Sequence, residues 1–294
     1  MPELPEVQTI VNGLNKVVVG KKMTDFESRD KKVVQFRLEE VVGSKILDVD
    51  RIAKLVIFNL NNEKSILVHL KMTGQFIWEK DPGVGKFSLR HRVTGGHPTE
   101  AMLERMPHKH TRAIFTFNDR SRLYFNDLRR FGWMKIIQNS KGKIQNIGNL
   151  FNFGVDALSN EFDAKYLKKQ AERFPNKKIK QFLMDQSIVG GIGNIYSDEG
   201  LFFAGIHPER KLKDIKMDEW KKVQEGVARA LNLGIKHGGY SADTYINAIG
   251  EKGKAQEYLN VYGKDGRECK QCKSIIKKVK IGGRTSRFCS KCQH

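Results

Sequence analysis

The sequence predicts an α+β protein: an N-terminal helix, an antiparallel β-sandwich, a mainly helical second half and a C-terminal finger of four cysteines. Three observations support this fold class. Apolar residues recur at helical spacing near the start and again over much of the second half. Short runs rich in β-branched and aromatic residues lie between these helical patterns. All the cysteines lie near the C-terminus, in two CxxC pairs.

The first helix follows the opening MPELPEV, in which two prolines and two glutamates crowd the first six positions. The apolar residues that continue it are three or four apart: Val7, Ile10, Val11, Leu14, Val17 and Val18. We expect the helix to end near Gly20. Pro2 is then either a rigid start to the chain or, after loss of Met1, a free secondary amine.

Eight strands are predicted next, with turn signals at Asn61-Asn62 and Asn118-Asp119. They are KKVVQFRL, KILDVDR, KLVIFNL, KSILVHL, GQFIWE, RAIFTF, SRLYFN and GWMKIIQ. This many short strands suggests an antiparallel sandwich.

Residues 80 to 110 interrupt the strands with glycines, prolines and mixed charge, which predicts a long loop or insertion. The four histidines of this region could suggest a metal site. Their irregular spacing, without nearby cysteines or paired carboxylates, favours surface histidines instead: His91, His97, His108 and His110.

A polar, glycine-dotted stretch at 139 to 154 predicts a domain boundary. Helical patterns follow at 161 to 172, 177 to 186, 195 to 205 and 217 to 235.

The turn IVGGIGN joins two of these helices. Its glycines allow close backbone approach, and the next helix start, with Asn194, could hold a phosphate oxygen. A tight helix hairpin needs such glycines for packing alone; the nearby Lys177, Lys178 and Lys180 favour the phosphate interpretation.

The cysteines are Cys269, Cys272, Cys289 and Cys292, with sixteen residues between the two pairs. Two CxxC pairs at this separation predict one structural zinc ion held by four thiolates. Two disulfides are the alternative, which a cytoplasmic protein disfavours. A redox CxxC would not need the second pair.

The chain of 294 residues carries a formal charge of +20, which favours a polyanionic partner, above all nucleic acid. Solubility charge spread over the surface is the alternative, but ten Lys or Arg cluster between Lys264 and His294. No apolar run is long enough to span a membrane and no signal peptide precedes the first helix. A cytoplasmic protein without a membrane partner is therefore expected.

Four features stand in one order along the chain: PELPEV, NDLRRFG, MDQSIVGGIGNIYSDEGLFFAGIHP and the cysteine finger. In this respect the sequence resembles the formamidopyrimidine-DNA glycosylase family over essentially its whole length. The resemblance implies a catalytic β-sandwich domain at 1 to 150 and a helix-two-turn-helix domain at 151 to 236. It further implies a lesion-recognition loop and connector at 237 to 263, and a zinc finger at 264 to 294.

The resemblance also implies catalytic roles. Pro2 would be the nucleophile, and Glu3 and Glu6 would move or orient protons, although both could simply cap the helix. Lys54 would assist elimination, where a strand-edge lysine is more often solvated. Arg284 would bind a phosphate and assist the second elimination; otherwise it is one more basic residue of the tail.

Damaged bases cannot be reached inside a duplex, so the enzyme must evict one and fill the gap. Met72, Arg129 and Phe131 match the residues that fill this void in the family. Met72 and Phe131 could equally be core residues. A tight turn in RRFG would expose them.

The resemblance also implies phosphate or DNA contacts by His110, Lys180 and Asn194. Pro175 and Asn176 stand where the family often has another lysine, and Lys177 could substitute for it. The stretch at 237 to 256 matches the loop that closes over the flipped base. There Ala255 replaces a usual aromatic, and Leu128 replaces the proline of the DPRRFG signature.

We therefore expect a bifunctional DNA glycosylase and AP lyase that removes oxidised purines from double-stranded DNA, acting as a monomer. An oxidised-pyrimidine glycosylase of the same superfamily is one alternative; Leu4 and the long loop after residue 237 favour the purine branch. A non-catalytic zinc-finger DNA or RNA binder is the other, against which Pro2, Glu3 and Lys54 weigh.

Overall fold

A computed structural model describes residues 1–80, 106–139, 150–240 and 253–294, and the backbone of 92–96. The chain forms two compact units. The first comprises Met1–Gln145 with His237–Lys254, and the second comprises Asn146–Lys236 with Ala255–His294. The predicted surface histidines His91 and His97, and most of the predicted lesion-recognition loop, lie outside the described residues.

Helix α1 of the first unit spans Leu4–Val18. Glu3 is the N-cap, Pro5 lies in the first turn, where its missing N–H costs no hydrogen bond, and the Glu6 side chain accepts from the N-cap backbone. The predicted apolar face is buried in the sandwich core, with Val7, Ile10 and Leu14 at most 3 % exposed.

The sandwich consists of two five-stranded sheets, confirming the predicted fold class. One has the order β1-β8-β9-β6-β7, formed by Met23–Ser28, Thr111–Phe117, Arg122–Asp127, Gly74–Glu79 and Arg92–Gly96. The other has the order β2-β10-β5-β4-β3, formed by Val34–Gln35, Trp133–Gln138, Lys64–His69, Leu55–Leu60 and Ile46–Ile52.

Three strands differ from the prediction. β1 was not predicted because its buried residues, Met23 and Phe26, do not alternate along the strand. β2 is only Val34–Gln35, and it pairs parallel with β10, so this sandwich is not wholly antiparallel. β7, Arg92–Gly96, lies inside the stretch predicted as a loop and pairs with β6.

The described helices of the second unit include α2 (Ala164–Ala171), α3 (Ile179–Leu183), α4 (Asn194–Ala204), α5 (Met217–Lys236) and α6 (Ala255–Tyr258). α4 is buried on nearly every side and crosses α5 closely at Gly200 and Gly226. The hydrophobic face of α5 includes Trp220, Val223 and Val227, as its periodicity predicted.

A short parallel pair, β11 (Val155–Asp156) and β12 (Val189–Gly190), also lies in the second unit. A hairpin of β13 (Lys277–Ile281) and β14 (Arg284–Phe288) forms the C-terminal finger. Two adjacent acidic residues of α4, Asp198 and Glu199, accept hydrogen bonds from the finger and from the segment that precedes it. The buried Glu199 carboxylate accepts from the backbone N–H groups of Asn260, Val261 and Tyr262 at 2.8 to 3.1 Å. Asp198 accepts from Ser286 and Arg287 of β14.

Among the described residues, no helix combines the length and apolar character that a membrane-crossing segment requires.

Candidate functional site

The start of α1 immobilises the predicted catalytic N-terminus. Pro2 and Glu3 are buried, and Glu3 is only 4 % exposed. Met1, which precedes them, is 46 % exposed. The N-terminal end of a helix stabilises a carboxylate through the exposed N–H groups and the helix dipole. After loss of Met1, the amine of Pro2 would therefore lie directly before Glu3, whose carboxyl group is held at the start of the helix.

Both carboxylate oxygens of Glu6 are hydrogen-bonded. Oε2 accepts from the Glu3 N–H at 2.9 Å, and Oε1 accepts from the Tyr240 N–H at 2.8 Å. The side chain is 3 % exposed. Glu6 therefore caps the helix, and its predicted proton role stays a prediction. The sequence did not predict its contact with Tyr240, which directly precedes residues 241–252.

Lys54 lies in the turn between β3 and β4, after Ala53 in a left-handed conformation (φ 52°). It is 3 % exposed, so it is not the solvated strand-edge lysine that was the alternative interpretation. The neighbouring His69, at the end of β5, was not predicted as a site residue. Burial, together with the positive charges of Lys71 and Lys54, lowers the pKa of His69 to about 3.

The predicted void-filling residues lie on two exposed turns. Met72 follows β5 and is 41 % exposed, and Phe131 follows β9 and is 50 % exposed. Neither is a core residue. The Arg129 guanidinium lies 4.7 Å from the centre of the Phe131 ring, within the range of a cation–π contact.

Neighbouring arginines of the RRFG turn differ in their partners. Arg130 pairs with Asp30 through two hydrogen bonds of 2.6 and 3.1 Å and has a positive φ of 57°. Arg129 instead lies over Phe131. The structure therefore distinguishes the two arginines, which the sequence RRF alone does not.

His110 is half-buried at the start of β8, and its N–H donates to His108 Nδ1 at 3.1 Å. Its backbone carbonyl accepts from the Asp127 N–H at 3.0 Å. This position leaves its predicted DNA contact a prediction.

Lys180 corrects a prediction. Its side chain is 1 % exposed, and its ammonium pairs with the Asp198 carboxylate inside the second unit. A buried ammonium cannot contact a phosphate, so the prediction of Lys180 as a DNA-binding residue is wrong for this conformation. Sequence reasoning missed the pairing because Asp198 lies on the following helix.

Lys177 remains partly accessible, with 27 % of its side chain exposed, and pairs with Asp185 at 2.7 Å. Asn194 is the first residue of α4 and is half-buried. Its Oδ1 atom is buried without a hydrogen-bond partner among the described residues. An amide oxygen only accepts hydrogen bonds, so a phosphate contact would have to come from the Asn194 NH₂ group or from the backbone N–H groups at the start of α4. The predicted phosphate contact of Asn194 therefore stays a prediction.

The turn before Asn194 is held by the Gln186 side chain, which donates to the Ile192 carbonyl at 2.7 Å and accepts from the Gly191 N–H at 3.1 Å. Gly191 has a φ of 106°, and Gly193, the N-cap, has a φ of −135°. Only Gly191 uses the left-handed freedom predicted for this turn.

The four cysteines converge, as their spacing predicted. Their sulfur atoms all lie within 4.8 Å of one another, with 3.4 Å between Cys272 and Cys289 and 3.9 Å between Cys269 and Cys292. Metal–sulfur bonds of about 2.3 Å place the sulfurs of a tetrahedral site about 3.8 Å apart. These residues thus fit a bound metal ion. Arg284, at the start of β14 in the same finger, is exposed.

Two family models match the chain. The formamidopyrimidine-DNA glycosylase N-terminal domain matches residues 1–134, and the H2TH domain of the same family matches residues 153–245. The formamidopyrimidine-DNA glycosylase of Halalkalibacterium halodurans is 35 % identical over the full length of both chains. That of Streptococcus pneumoniae is 32 % identical and covers 100 % of this chain and 99 % of its own.

Solved structures of Lactococcus lactis Fpg are similar as well. Its complex with DNA containing N7-benzyl-Fapy-dG superposes with a TM-score of 0.81 at 29 % identity, covering 99 % of each chain. Its complex with DNA containing an oxidised pyrimidine gives a TM-score of 0.80 at 29 % identity, also over 99 % of each chain.

Proposed function

Since the chain belongs to the formamidopyrimidine-DNA glycosylase family, we propose that it excises oxidised purines from duplex DNA and then cleaves the strand as an AP lyase. The observation that carries this proposal is the N-terminus: Pro2, buried beside Glu3 at the N-cap of α1, in a chain 35 % identical to a formamidopyrimidine-DNA glycosylase over its whole length. The proposed substrates are 8-oxoguanine opposite cytosine and ring-opened formamidopyrimidines.

Pro2 is the proposed nucleophile once Met1 is removed. Its secondary amine attacks C1′ of the damaged nucleotide, the glycosidic bond breaks and the base leaves with a proton. The amine then loses its proton and the C1′–O4′ bond breaks with protonation of O4′, which opens the sugar ring and leaves an iminium at C1′. Because proline nitrogen has two carbon substituents, this iminium is permanently cationic. This charge acidifies the C2′ hydrogen. Loss of that proton breaks the C3′–O bond, and a second elimination breaks the C5′–O bond.

Glu3 is the proposed proton donor to the leaving base or the sugar ring oxygen. Its burial at the helix start keeps the carboxyl group in one position. Glu6 orients this pair through its hydrogen bond to the Glu3 N–H. Lys54, buried in the turn before β4, is the proposed acid or base of the elimination, and the exposed Arg284 is the proposed phosphate ligand that assists the second elimination.

Met72, Arg129 and Phe131 are the proposed void-filling residues. Exposure of Met72 and Phe131 supports this role, because a thioether and an aromatic ring can replace lost base stacking. Arg129 would hydrogen-bond to the cytosine left without its partner. His110, Lys177 and Asn194 are proposed to contact the DNA backbone.

Zinc is the proposed metal of the finger. Four cysteine thiolates with tetrahedral spacing are typical of structural zinc and leave no open coordination position for catalysis. The ion would hold the finger together, including the hairpin that carries Arg284. Residues 264 to 294 also carry the clustered positive charge that a DNA backbone would neutralise.

Oxidised pyrimidines are a second candidate substrate, favoured by one observation: the similar Lactococcus lactis Fpg forms a complex with DNA containing an oxidised pyrimidine. Release rates from matched duplexes containing 8-oxoguanine or thymine glycol distinguish the two. We expect faster release of 8-oxoguanine.

Borohydride trapping tests the proposal. Borohydride reduces the iminium, so wild-type protein should become covalently attached to an 8-oxoguanine duplex. Pro2→Gly, or one added N-terminal residue, should greatly reduce trapping, whereas the matched control Pro175→Gly, an exposed proline of the second unit, should not. Wild-type protein that binds this DNA without ever being trapped would refute the enzymatic mechanism. Intact mass provides a further check, since the mechanism requires loss of Met1.

A further inference from the structure

The turns that carry Met72 and Phe131 share one buried carboxylate. Asp127, the last residue of β9, is fully buried. Its Oδ1 accepts from the Thr73 hydroxyl, and its Oδ2 accepts from the Gly132 N–H at 2.7 Å. Thr73 directly follows Met72, and Gly132 directly follows Phe131. A single side chain thus connects the two turns.

The connection extends to Arg129. Its N–H donates to the Thr73 hydroxyl oxygen at 3.1 Å and to Asp127 Oδ1 at 3.2 Å. The Asp127 carboxylate therefore receives N–H groups from both ends of the RRFG turn, while the Thr73 hydroxyl joins that turn to the Met72 turn. Arg112 Nε donates to the backbone carbonyl of Asp127 at 2.9 Å, which anchors the main chain at the end of β9.

Gly132 makes this arrangement possible. A Cβ atom there would lie 3.0 Å from Asp127 Oδ2 and 3.0 Å from the His69 carbonyl oxygen. These contacts are tighter than ordinary van der Waals separations, so a side chain would push the carboxylate away from the Gly132 N–H. The hydrogen bond from the Gly132 N–H to the Asp127 carboxylate therefore depends on glycine at position 132 as well as on the aspartate.

We propose that Asp127 is a positioning residue that fixes the Met72 turn and the Arg129–Phe131 turn relative to each other before DNA binds. This inference rests on the proposed function. If Met72, Arg129 and Phe131 are already in position, they can enter the duplex without two loops having to become ordered at that moment. Ordering those loops during insertion would cost conformational entropy. The same arrangement directs Arg129 to one position, so that recognition of the opposite base depends on Asp127.

Asp127→Asn is the first test. An amide has the same shape as the carboxylate, but only one of its two end atoms accepts hydrogen bonds. The amide oxygen can face either Thr73 and Arg129 or Gly132, and the NH₂ group then faces an N–H donor on the opposite side. We expect 8-oxoguanine excision from a duplex to fall about tenfold or more, as for other misplaced reactive groups. The preference for cytosine over adenine opposite the lesion should fall with it.

Thr73→Val removes the link between the turns without introducing a polar mismatch and should have the same effect. Thr73→Ser keeps the hydroxyl and should restore both the rate and the opposite-base preference. Ser65→Ala is the matched control, because it removes another buried hydroxyl of this sandwich, one that donates to Asn59 at 2.7 Å away from both turns. It should retain the wild-type opposite-base preference.

Borohydride trapping on a single-stranded abasic oligonucleotide separates the two hypotheses, because that substrate has no opposite base and no void. Wild-type protein that is trapped neither there nor on the 8-oxoguanine duplex refutes the proposed function. If wild-type protein traps and Asp127→Asn and Thr73→Val keep the wild-type opposite-base preference, only the positioning role is refuted. A folded Thr73→Val variant that loses single-strand trapping as strongly as duplex excision also refutes it, since the defect would then be general.

Discussion

Lys180 and Asp198 form an ion pair in the interior of the second unit, with side chains 1 % and 0 % exposed. The carboxylate also accepts from the Ser286 hydroxyl at 2.6 Å and the Arg287 N–H at 2.9 Å. Three donors surround one carboxylate and join α3, α4 and strand β14. The pair therefore links the helices of this unit to the finger that carries Arg284.

Breaking this pair should destabilise the second unit. Asp198→Asn leaves the Lys180 ammonium buried without a counter-charge, which typically costs about 3 to 5 kcal/mol. Lys180→Met should cost less, because the carboxylate keeps Ser286 and Arg287 as donors. The double variant should be less destabilised than the sum of the single variants. Urea denaturation measures the three free energies of unfolding, and strictly additive losses would contradict a coupled pair.

Metal removal should affect the finger before the sandwich. We expect one zinc ion per chain by elemental analysis of the wild type and none in Cys289→Ser. The variant should lose DNA affinity while the first unit keeps its thermal transition, because the sandwich core contains no cysteine. Chelated wild type resupplied with zinc is the control and should recover binding. DNA affinity that persists without metal would show that the finger does not contribute to binding.

His69 should make the free energy of unfolding depend on pH. Its pKa is lowered to about 3 in the folded protein from an ordinary value of 6.5, so between these values the unfolded chain binds more protons. Stability therefore falls as the pH falls through this window, by up to about 1.4 kcal/mol per pH unit from this group.

His69→Asn should flatten that slope, because an amide does not titrate. Its oxygen can still accept from the Lys71 N–H, which in the wild type donates to His69 Nδ1 at 3.0 Å. Denaturation curves between about pH 4 and 7 measure the difference. The exposed His294→Asn is the control for the loss of an imidazole. Parallel slopes in wild type and His69→Asn would contradict the buried neutral state.

Gly226→Ala should destabilise the protein although alanine favours helices over glycine by about 1 kcal/mol. A Cβ at this position of α5 would lie 2.5 Å from the Gly200 carbonyl oxygen and 2.9 Å from the Ala204 nitrogen. Overpacking typically costs about 1 to 3 kcal/mol, and here backbone atoms must move. The control is the exposed neighbour Glu225→Ala, which should change stability little; a higher melting temperature for Gly226→Ala would contradict the close crossing.

Much of the fold follows from local sequence patterns. The periodicity of α5 predicted 217 to 235, and the helix spans Met217–Lys236. Helical spacing reports the buried face directly, because one apolar stripe is enough to specify it. β1 shows the limit of such patterns: Met23 and Phe26 are buried three residues apart, and strand pairing with β8 rather than alternation makes this segment a strand.

Site residues show the same division. The cysteines could be predicted to converge because ligand spacing within a CxxC pair is set by a few bonds of local chain. The burial of Lys180 could not be predicted, because the position of Asp198 in the folded chain decides whether this lysine is a phosphate ligand or part of an ion pair. The exposure of Phe131 was one of two interpretations that the sequence left open, and the structure decides between them because it places this ring on a turn whose Gly132 N–H donates to Asp127.

The sequence by itself determined the α+β class, the N-terminal proline and glutamate, the cysteine cluster and the family. Tertiary structure alone decided that Glu6 caps a helix and holds Tyr240, that Lys180 is internal, and that one carboxylate joins the Met72 and Phe131 turns. The reason is physical: spacing along a chain fixes contacts within a turn or two, whereas burial and pairing depend on residues far apart in sequence that only packing brings together.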